Sequence, residues 1–305
     1  MSAPRVAVGP RPFPLAEEAV RAGGGEVVAA EDAEALVWMS SRHVSELVDV
    51  LGDAPGVRWV QLPMAGIERV VAAGVVSAER TWTCAKGLYS EPVAEMALAL
   101  ALAGLRQVTN SLRARAWGPE AGRTLYDGRV TIVGGGGITG ALLDLLRPYR
   151  VATTVVRKRP EPVPGAGQTV GPERLVEVVG GADAVFLTLA LTPDTAGIIG
   201  APELEAMAPH AWLVNVARGG HVRTDDLVAA LRSESIGGAG LDVTDPEPLP
   251  EGHPLWDLPN CIITPHQANT AAMAIPPLMR RIRDNVARFA SGQPLEGVVD
   301  PSLGY

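Results

Sequence analysis

Little in this chain points to oxidation, metal or membrane. Its 305 residues contain only two cysteines, Cys84 and Cys261, far apart and outside any C-x-x-C pattern. That excludes a disulfide framework and reads as reduced, structural thiols in a cytoplasmic protein. The histidines show no metal-ligand spacing. The longest apolar run, MALALALAGL from Met96 to Leu105, is about half a membrane span and reads as a buried helix. The opening MSAPRVAVGPRPFP carries prolines where a secretory signal needs an apolar core. A net charge of −8 offers nothing to nucleic acid or to an anionic membrane. There is no repeat of fixed period and no low-complexity tract. What remains is ordinary globular composition, 47% hydrophobic and 20% charged, in a chain long enough for about two domains. A soluble cytoplasmic enzyme or binding protein is expected.

The informative stretch runs from Arg129 to Leu146, RVTIVGGGGITGALLDLL. A β-branched run enters four glycines, and Ile138 to Leu146 then has helical apolar spacing. Strand, glycine turn and helix together bring backbone N–H groups and the positive end of a helix dipole to one point, where a pyrophosphate can sit. Two registers fit G-x-G-x-x-G. Gly134, Gly136 and Thr139 keep the turn directly after the strand with threonine in third place; Gly135, Gly137 and Gly140 match fully but start one residue late. The first is preferred, because the third glycine mainly permits close helix packing, and the Thr139 hydroxyl could itself reach a phosphate.

Before this stretch, strands are expected at Val6 to Val8, Ala35 to Met39 and Arg58 to Leu62, with a helix at Leu15 to Ala22. Alternating apolar strands and helices imply a parallel sheet covered on both faces. The loop PMAGIE, Pro63 to Glu68, follows the last of these strands, where such sheets bind ligands; an ordinary strand-to-helix turn reads equally well. Glu91 to Val108 is the longest helical pattern, apolar nearly all round and so expected to be buried between domains or subunits. After the glycine turn, further strands are expected at 152–156, 184–189, 212–215, 239–243 and 261–264, with helices at 173–179, 202–207 and 224–233. These make six strands with Val130 to Val133, the pattern of a doubly wound nucleotide-binding domain. EPVPGAGQ, Glu161 to Gln168, reads as a surface loop, and a last helix spans Ile275 to Ala290.

Three polar groups follow predicted strands of this second sheet: Arg218 in LVNVARGG, Glu247 in LDVTDPEPLP and His266 in IITPHQAN. Strand C-termini share one edge of a parallel sheet, so these loops converge. Arginine can hold a carboxylate bidentately, histidine can move a proton near neutral pH, and a neighbouring carboxylate can hold the imidazole's other N–H and favour its charged form. Such a set suits a nicotinamide enzyme acting on a carbonyl beside a carboxylate. His43, His210, His221 and His253 lack this setting and read as structural or surface residues.

With these motifs in place, the chain resembles the D-isomer-specific 2-hydroxyacid dehydrogenase family, in particular its glyoxylate/hydroxypyruvate reductase-like members. The resemblance covers nearly the whole length: WVQLPMAGIE, G-x-x-x-x-x-VAE from Gly87 to Glu95, IVGGGGI, LTLALTPDT, LVNVARGG, GLDVTDPEPLP, TPH and the terminal GQPLEGVVDPSLGY. It implies two Rossmann-like, doubly wound parallel-sheet domains, a flavodoxin-like substrate domain of residues 1–95 and 275–305 and an NAD(P)-binding domain of 96–274. It implies that Arg218, Glu247 and His266 are the catalytic trio, and that backbone N–H groups of Met64, Ala65 and Gly66 meet the substrate carboxylate. Asp242 would hold the nicotinamide carboxamide. The remaining cofactor positions would be Gly134, Gly136, Gly137, Ile138, Thr139, Arg157, Lys158, Arg159, Ala190, Thr195, Val216 and Ala217. A homodimer is implied, through the nucleotide domain and its linking helix. The chain departs from the family's usual pattern at Thr139, Ala190 and Thr244 and in a short N-terminal region.

The activity so implied is reduction of a small 2-keto acid such as glyoxylate, hydroxypyruvate or pyruvate with NAD(P)H. A larger 2-hydroxyacid such as 3-phosphoglycerate would need more basic residues near the pocket, and Arg42 is the one obvious candidate. A cofactor-sensing, corepressor-like binding protein would not need the complete trio. For cofactor choice, NAD-selective domains place Asp or Glu at the end of the second strand. Here ATTVV ends in Arg157, Lys158 and Arg159, so NADP is expected to be preferred, with NAD possible.

Overall fold

Short β-branched runs alternate with amphipathic helices from the first residues on, and each run becomes a strand of one of two parallel sheets. A computed structural model describes residues 3–159 and 161–300; PSLGY, the end of the terminal motif, lies outside the described residues. The chain divides into two units, Met1–Tyr89 with Thr270–Tyr305, and Ser90–Asn269.

The first unit begins with β1 (Arg5–Gly9), α1 (Pro14–Ala22), β2 (Glu26–Val27) and β3 (Ala35–Trp38). It continues with α2 (Val44–Asp53), β4 (Trp59–Gln61), α3 (Glu68–Ala72) and β5 (Thr81–Thr83). The strands lie parallel in the order β2-β1-β3-β4-β5, the flavodoxin-like arrangement. The strands β2 and β5 escape the sequence pattern because they are short and Glu26, Thr81 and Thr83 interrupt their apolar runs.

In the second unit, α4 (Ser90–Leu105) and α5 (Val108–Arg113) precede β6 (Arg129–Val133), α6 (Gly137–Leu146), β7 (Ala152–Val156) and β8 (Gln168–Val170). Then come α7 (Leu175–Val179), β9 (Ala184–Leu187), α8 (Ala201–Ala206), β10 (Trp212–Asn215), α9 (Thr224–Arg232), β11 (Gly238–Leu241) and β12 (Cys261–Ile263). The sheet order is β12-β11-β10-β9-β6-β7-β8, all parallel. Counted from β6, this is the dinucleotide-binding order 3-2-1-4-5-6 with one strand added. The expected six strands are corrected to seven: the unexpected one is β8, which starts at the end of the Pro/Gly segment that reads as loop.

The chain returns to the first unit in α10 (Ala271–Ser291), longer than its apolar pattern because Pro276 and Pro277 lie inside its second turn. Leu278, Ile282 and Val286 bury one face against Ala16, Ala19 and Val20 of α1. A buried polar chain ties it to the sheet. Asn285 Nδ2 donates to Gln61 Oε1 at 3.0 Å, Thr83 Oγ1 donates to the same oxygen at 2.9 Å, and Trp59 Nε1 donates to Thr83 Oγ1 at 2.8 Å. Both cysteines are buried and free. Burial raises the Cys84 thiol above its ordinary value and pushes Cys261 up to about 12, so neither is a ready nucleophile.

The long linking helix is shorter than its pattern: α4 stops at Leu105, and Gln107 turns left-handed at φ 56° before α5. Nor is it buried all round in this chain. Val93, Ala94, Ala97, Leu100, Ala101, Gly104 and Leu105 are covered, whereas Glu95 and Ala99 face outward. Its inner face lies on α6, β10 and β11. Gly104 is the closest point: a Cβ there would come within 2.2 Å of the Trp212 indole. Alanine normally gains about 0.8–1 kcal/mol over glycine inside a helix. Overpacking a filled core costs about 1–3 kcal/mol, so Gly104→Ala is expected to lower the urea midpoint, and an unchanged or raised midpoint would contradict the packing.

Candidate active site

The glycine turn follows the register that starts directly after the strand. Gly134 has φ 123°, and a Cβ on it would come within 2.7 Å of the Thr188 hydroxyl and 2.8 Å of its backbone. Only glycine fits such a position. A Cβ on Gly136, the N-cap of α6, would meet nothing within 4 Å. Gly136 and Gly137 are exposed at the mouth of the turn, with Ile138 half-buried behind them. An open, side-chain-free approach to the N-terminus of a ten-residue helix is the geometry a dinucleotide's pyrophosphate requires. Thr139, in the third place, is fully buried. Its hydroxyl lies 3.0 Å from Gly134 O, to which it donates, and 2.9 Å from Thr188 Oγ1. The expectation that this hydroxyl reaches a phosphate is therefore corrected: it braces the turn from behind.

The basic run after β7 divides its labour. A Cβ on Gly135 would come within 2.9 Å of Arg157 Cδ and 3.1 Å of Nε, so the Arg157 side chain lies across the glycine turn. Lys158 reaches Asp194 at 2.8 Å, both largely exposed, and the ammonium holds the Asp194 carboxyl below its ordinary range. Arg159 is exposed. Asp194 belongs to the loop after β9, where Thr195 Oγ1 donates to the carbonyl of Ala190 at 2.8 Å and closes a tight turn. No sequence signal singled out Asp194, because its partner lies 36 residues away.

The trio stands on three adjacent strands. After β10, Asn215 is buried and folds back: its Oδ1 accepts from Ala217 N at 3.0 Å and its Nδ2 donates to Arg218 O at 2.8 Å. Val216 and Ala217 are buried. The Arg218 backbone is extended, and its guanidinium donates to Ala217 O at 2.7 Å. A Cβ on Gly219 would come within 2.0 Å of Thr244 C and O, so this glycine is where the loops after β10 and β11 press together. The second loop is pinned by Thr224 Oγ1 donating to Asp245 O at 2.7 Å and Thr244 Oγ1 donating to Pro246 O at 2.9 Å. It delivers Glu247, whose Oε1 accepts from His266 Nδ1 at 2.8 Å, with both side chains about half exposed. Nδ1 is the donor because an ionised carboxylate only accepts. The ring's Nε2 is thereby left to exchange a proton with a reacting oxygen.

His266 itself has φ 50°, uncommon for a residue with a Cβ. Asp242, at the end of β11 and 2% exposed, holds it there. The Asp242 carbonyl accepts His266 N at 2.9 Å. Its carboxylate accepts Thr264 Oγ1 at 2.5 Å, Gln267 N at 2.9 Å and Ala268 N at 2.9 Å. Three of roughly four lone-pair sites on the carboxylate are filled, so a nicotinamide carboxamide would find one acceptor there at most.

In the other unit, the Pro63–Gly66 loop turns its carbonyls inward. Pro63 O accepts the Tyr89 hydroxyl at 2.7 Å, Met64 O accepts Ala85 N at 2.9 Å, and Cys84 Sγ donates to Ala65 O at 3.7 Å. Burial pushes the Tyr89 phenol up to about 12, so this bond persists across the working pH range. Among the described residues, the N–H groups of Met64, Ala65 and Gly66 take no acceptor.

His221, which the sequence reads as structural or surface, is buried with its ring against the Arg218 backbone. A spacing of three across two glycines, R-G-G-H, is the signal that a single turn brings them together. No three His, Cys, Asp or Glu side chains gather as a metal-holding group among the described residues, and no helix there is long and apolar enough to cross a membrane.

Comparison with known proteins agrees with this geometry. A crystal structure of a D-isomer specific 2-hydroxyacid dehydrogenase from Xanthobacter autotrophicus, in complex with NADPH and MES, superposes with a TM-score of 0.87 at 27% identity, covering 100% of both chains. The NADPH-dependent glyoxylate/hydroxypyruvate reductase of Sinorhizobium meliloti, in complex with NADP and sulfate, superposes at 0.83 with 26% identity, covering 99% of this chain and 100% of that one. Glyoxylate/hydroxypyruvate reductase A of Serratia proteamaculans is 34% identical over 58% of this chain, and the match spans 56% of the reductase. The family model for the NAD binding domain of D-isomer specific 2-hydroxyacid dehydrogenases matches residues 96–268. With the parallel dinucleotide-binding sheet and the site at its C-terminal edge, the chain belongs to the D-isomer-specific 2-hydroxyacid dehydrogenases, enzymes that depend on NAD(P).

Proposed function

We propose that this enzyme reduces a small 2-keto acid, of the size of glyoxylate or hydroxypyruvate, with NADPH. The carrying observation is the His266–Glu247 pair at 2.8 Å, in the loops after β12 and β11, beside the loop after β10 that carries Arg218. The nicotinamide supplies the hydride. Arg218 takes the substrate carboxylate and polarises the ketone, His266 gives its Nε2 proton to the forming alkoxide, and Glu247 keeps the imidazole oriented. In the other unit, the N–H groups of Met64, Ala65 and Gly66 are donors that suit a carboxylate. The named activity of the Serratia and Sinorhizobium reductases supports this substrate class. A phosphorylated substrate would need additional cations, and a sensor would not need the oriented His266–Glu247 pair.

The enzyme should consume NADPH with glyoxylate or hydroxypyruvate. His266→Ala should lose about 10²- to 10⁴-fold in turnover with substrate binding less affected, whereas Arg218→Ala should lose both. Near wild-type turnover in His266→Ala would remove it as the proton donor, and no turnover of any 2-keto acid would favour a sensor.

Arg157 across the glycine turn supports NADPH over NADH, since a 2′-phosphate beside it gains charge-assisted hydrogen bonds worth about 1.5–3 kcal/mol each. The NADPH complex of the Xanthobacter protein and the NADP complex of the Sinorhizobium reductase support the same choice. The ratio of kcat/KM for NADPH to that for NADH at low salt should be about tenfold to over a hundredfold and should collapse in Arg157→Asp. Equal use by the parent enzyme, or an unmoved ratio in the variant, would exclude the assignment.

The same reading includes a homodimer through the α4–α5 segment. Leu112 is 74% exposed and Trp117 completely so, apolar surface of the kind that marks an interface. Sedimentation should give twice 31.8 kDa for the parent and the monomer mass for Leu112→Glu combined with Trp117→Glu; a monomeric parent would contradict the interface.

A further inference from the structure

His221 is fully buried, and it sits in the short turn Gly219–His221 that follows Arg218. Burying an imidazole is costly unless it makes a bond, and an apolar side chain of similar volume would fill the space more cheaply. The ring's Nδ1 lies 3.2 Å from Arg218 N and 3.0 Å from Arg218 O. One nitrogen cannot accept from the first and donate to the second in the same state. The Arg218 carbonyl already has two donors, Asn215 Nδ2 at 2.8 Å and His221 N at 3.2 Å, which occupy both its lone pairs. The Arg218 N–H, a backbone donor at a half-buried residue, needs an acceptor. Nδ1 is therefore read as the acceptor of the Arg218 N–H.

We propose that His221 is a positioning residue for Arg218: its Nδ1 holds the Arg218 N–H and so sets the direction in which the arginine leaves the sheet edge. The proposal rests on the reading of Arg218 as the group that takes the substrate carboxylate. The post to which Arg218 is tied is itself fixed. Ile199 N donates to His221 O at 3.0 Å and Gly197 N donates to Gly220 O at 2.8 Å, so the turn is pinned to the segment before α8. Gly219 and Gly220 between the two residues contribute no side chain to stiffen the turn. Arg218 is thus bracketed on its N–H side by the imidazole and on its C=O side by the Asn215 carboxamide. A guanidinium fork recognises a carboxylate only in a narrow range of angles, so loosening one side of the bracket reaches the substrate directly.

The test compares the full-length enzyme with His221→Leu, which keeps bulk and removes the acceptor, and His221→Asn, whose Oδ1 can stand near the place of Nδ1. With saturating NADPH, kcat/KM for glyoxylate should fall by about 10- to 100-fold in His221→Leu, with KM carrying much of the loss. His221→Asn should stay within about threefold of the parent, and NADPH affinity measured by fluorescence should be the same in all three, which a general loss of structure would not allow. In the parent, long-range proton–nitrogen correlation of the His221 ring should show a bare Nδ1 and a protonated Nε2. A protonated Nδ1, an unchanged kcat/KM in His221→Leu, or equal impairment of the two variants would overturn the proposal. If no 2-keto acid is turned over, the proposed function fails, and the ring spectrum still decides the bond between His221 and Arg218.

Discussion

One aspartate carries the constraint on which the rest of the site depends. His266 occupies a left-handed backbone conformation that costs of order 1–3 kcal/mol for a residue with a Cβ. Asp242 opposes that cost with its carbonyl on His266 N and its carboxylate on Thr264, Gln267 and Ala268. Together these four hydrogen bonds fix the turn in which His266 sits. The strained turn is what aims Nδ1 at Glu247 and leaves Nε2 outward. A carboxylate already this engaged serves first as the anchor of the His266 turn.

The same economy of space governs the loops beside it. Parallel pairing of β10 with β11 and β11 with β12 sets three strand ends side by side. The fit between the first two loops is so close that Gly219 touches the Thr244 carbonyl group. Arg218 and Glu247 are thus placed by contacts within the protein and need no substrate to assemble them. At the glycine turn the arrangement is the reverse: Gly134 is packed hard against Thr188, Thr139 braces it from behind, and Gly136 opens outward. Rigidity lies on the protein side and vacancy on the ligand side, the combination that lets a backbone approach a pyrophosphate without reorganising.

Much of this was legible in the residues. The β-branched runs before Gly134 and Gly9, and the period of Leu278, Ile282 and Val286, announce parallel strands and an amphipathic helix because each repeats its apolar spacing over enough residues to show. Arg218, Glu247 and His266 were found because each follows such a run, and strand ends of a parallel sheet share an edge. Where the pattern was broken it failed: β2, β5 and β8 are short strands interrupted by Glu26, by Thr81 and Thr83, and by Gln168 and Thr169, and the α4 pattern ran on past Leu105 because apolar spacing does not register a left-handed residue such as Gln107.

The sequence by itself determined the alternation of strands and helices, the two parallel sheets, the glycine turn and the three polar residues at the strand ends, since these depend on local periodicity and residue chemistry. Only the tertiary structure decided that Thr139 faces inward, that Asp242 is spent on the His266 turn, that Asp194 engages Lys158 and that His221 holds Arg218. Each of those is a hydrogen bond or ion pair whose direction is chosen by packing, either between residues far apart in the chain or within one folded turn, and no local pattern of side chains encodes which way a buried donor will point.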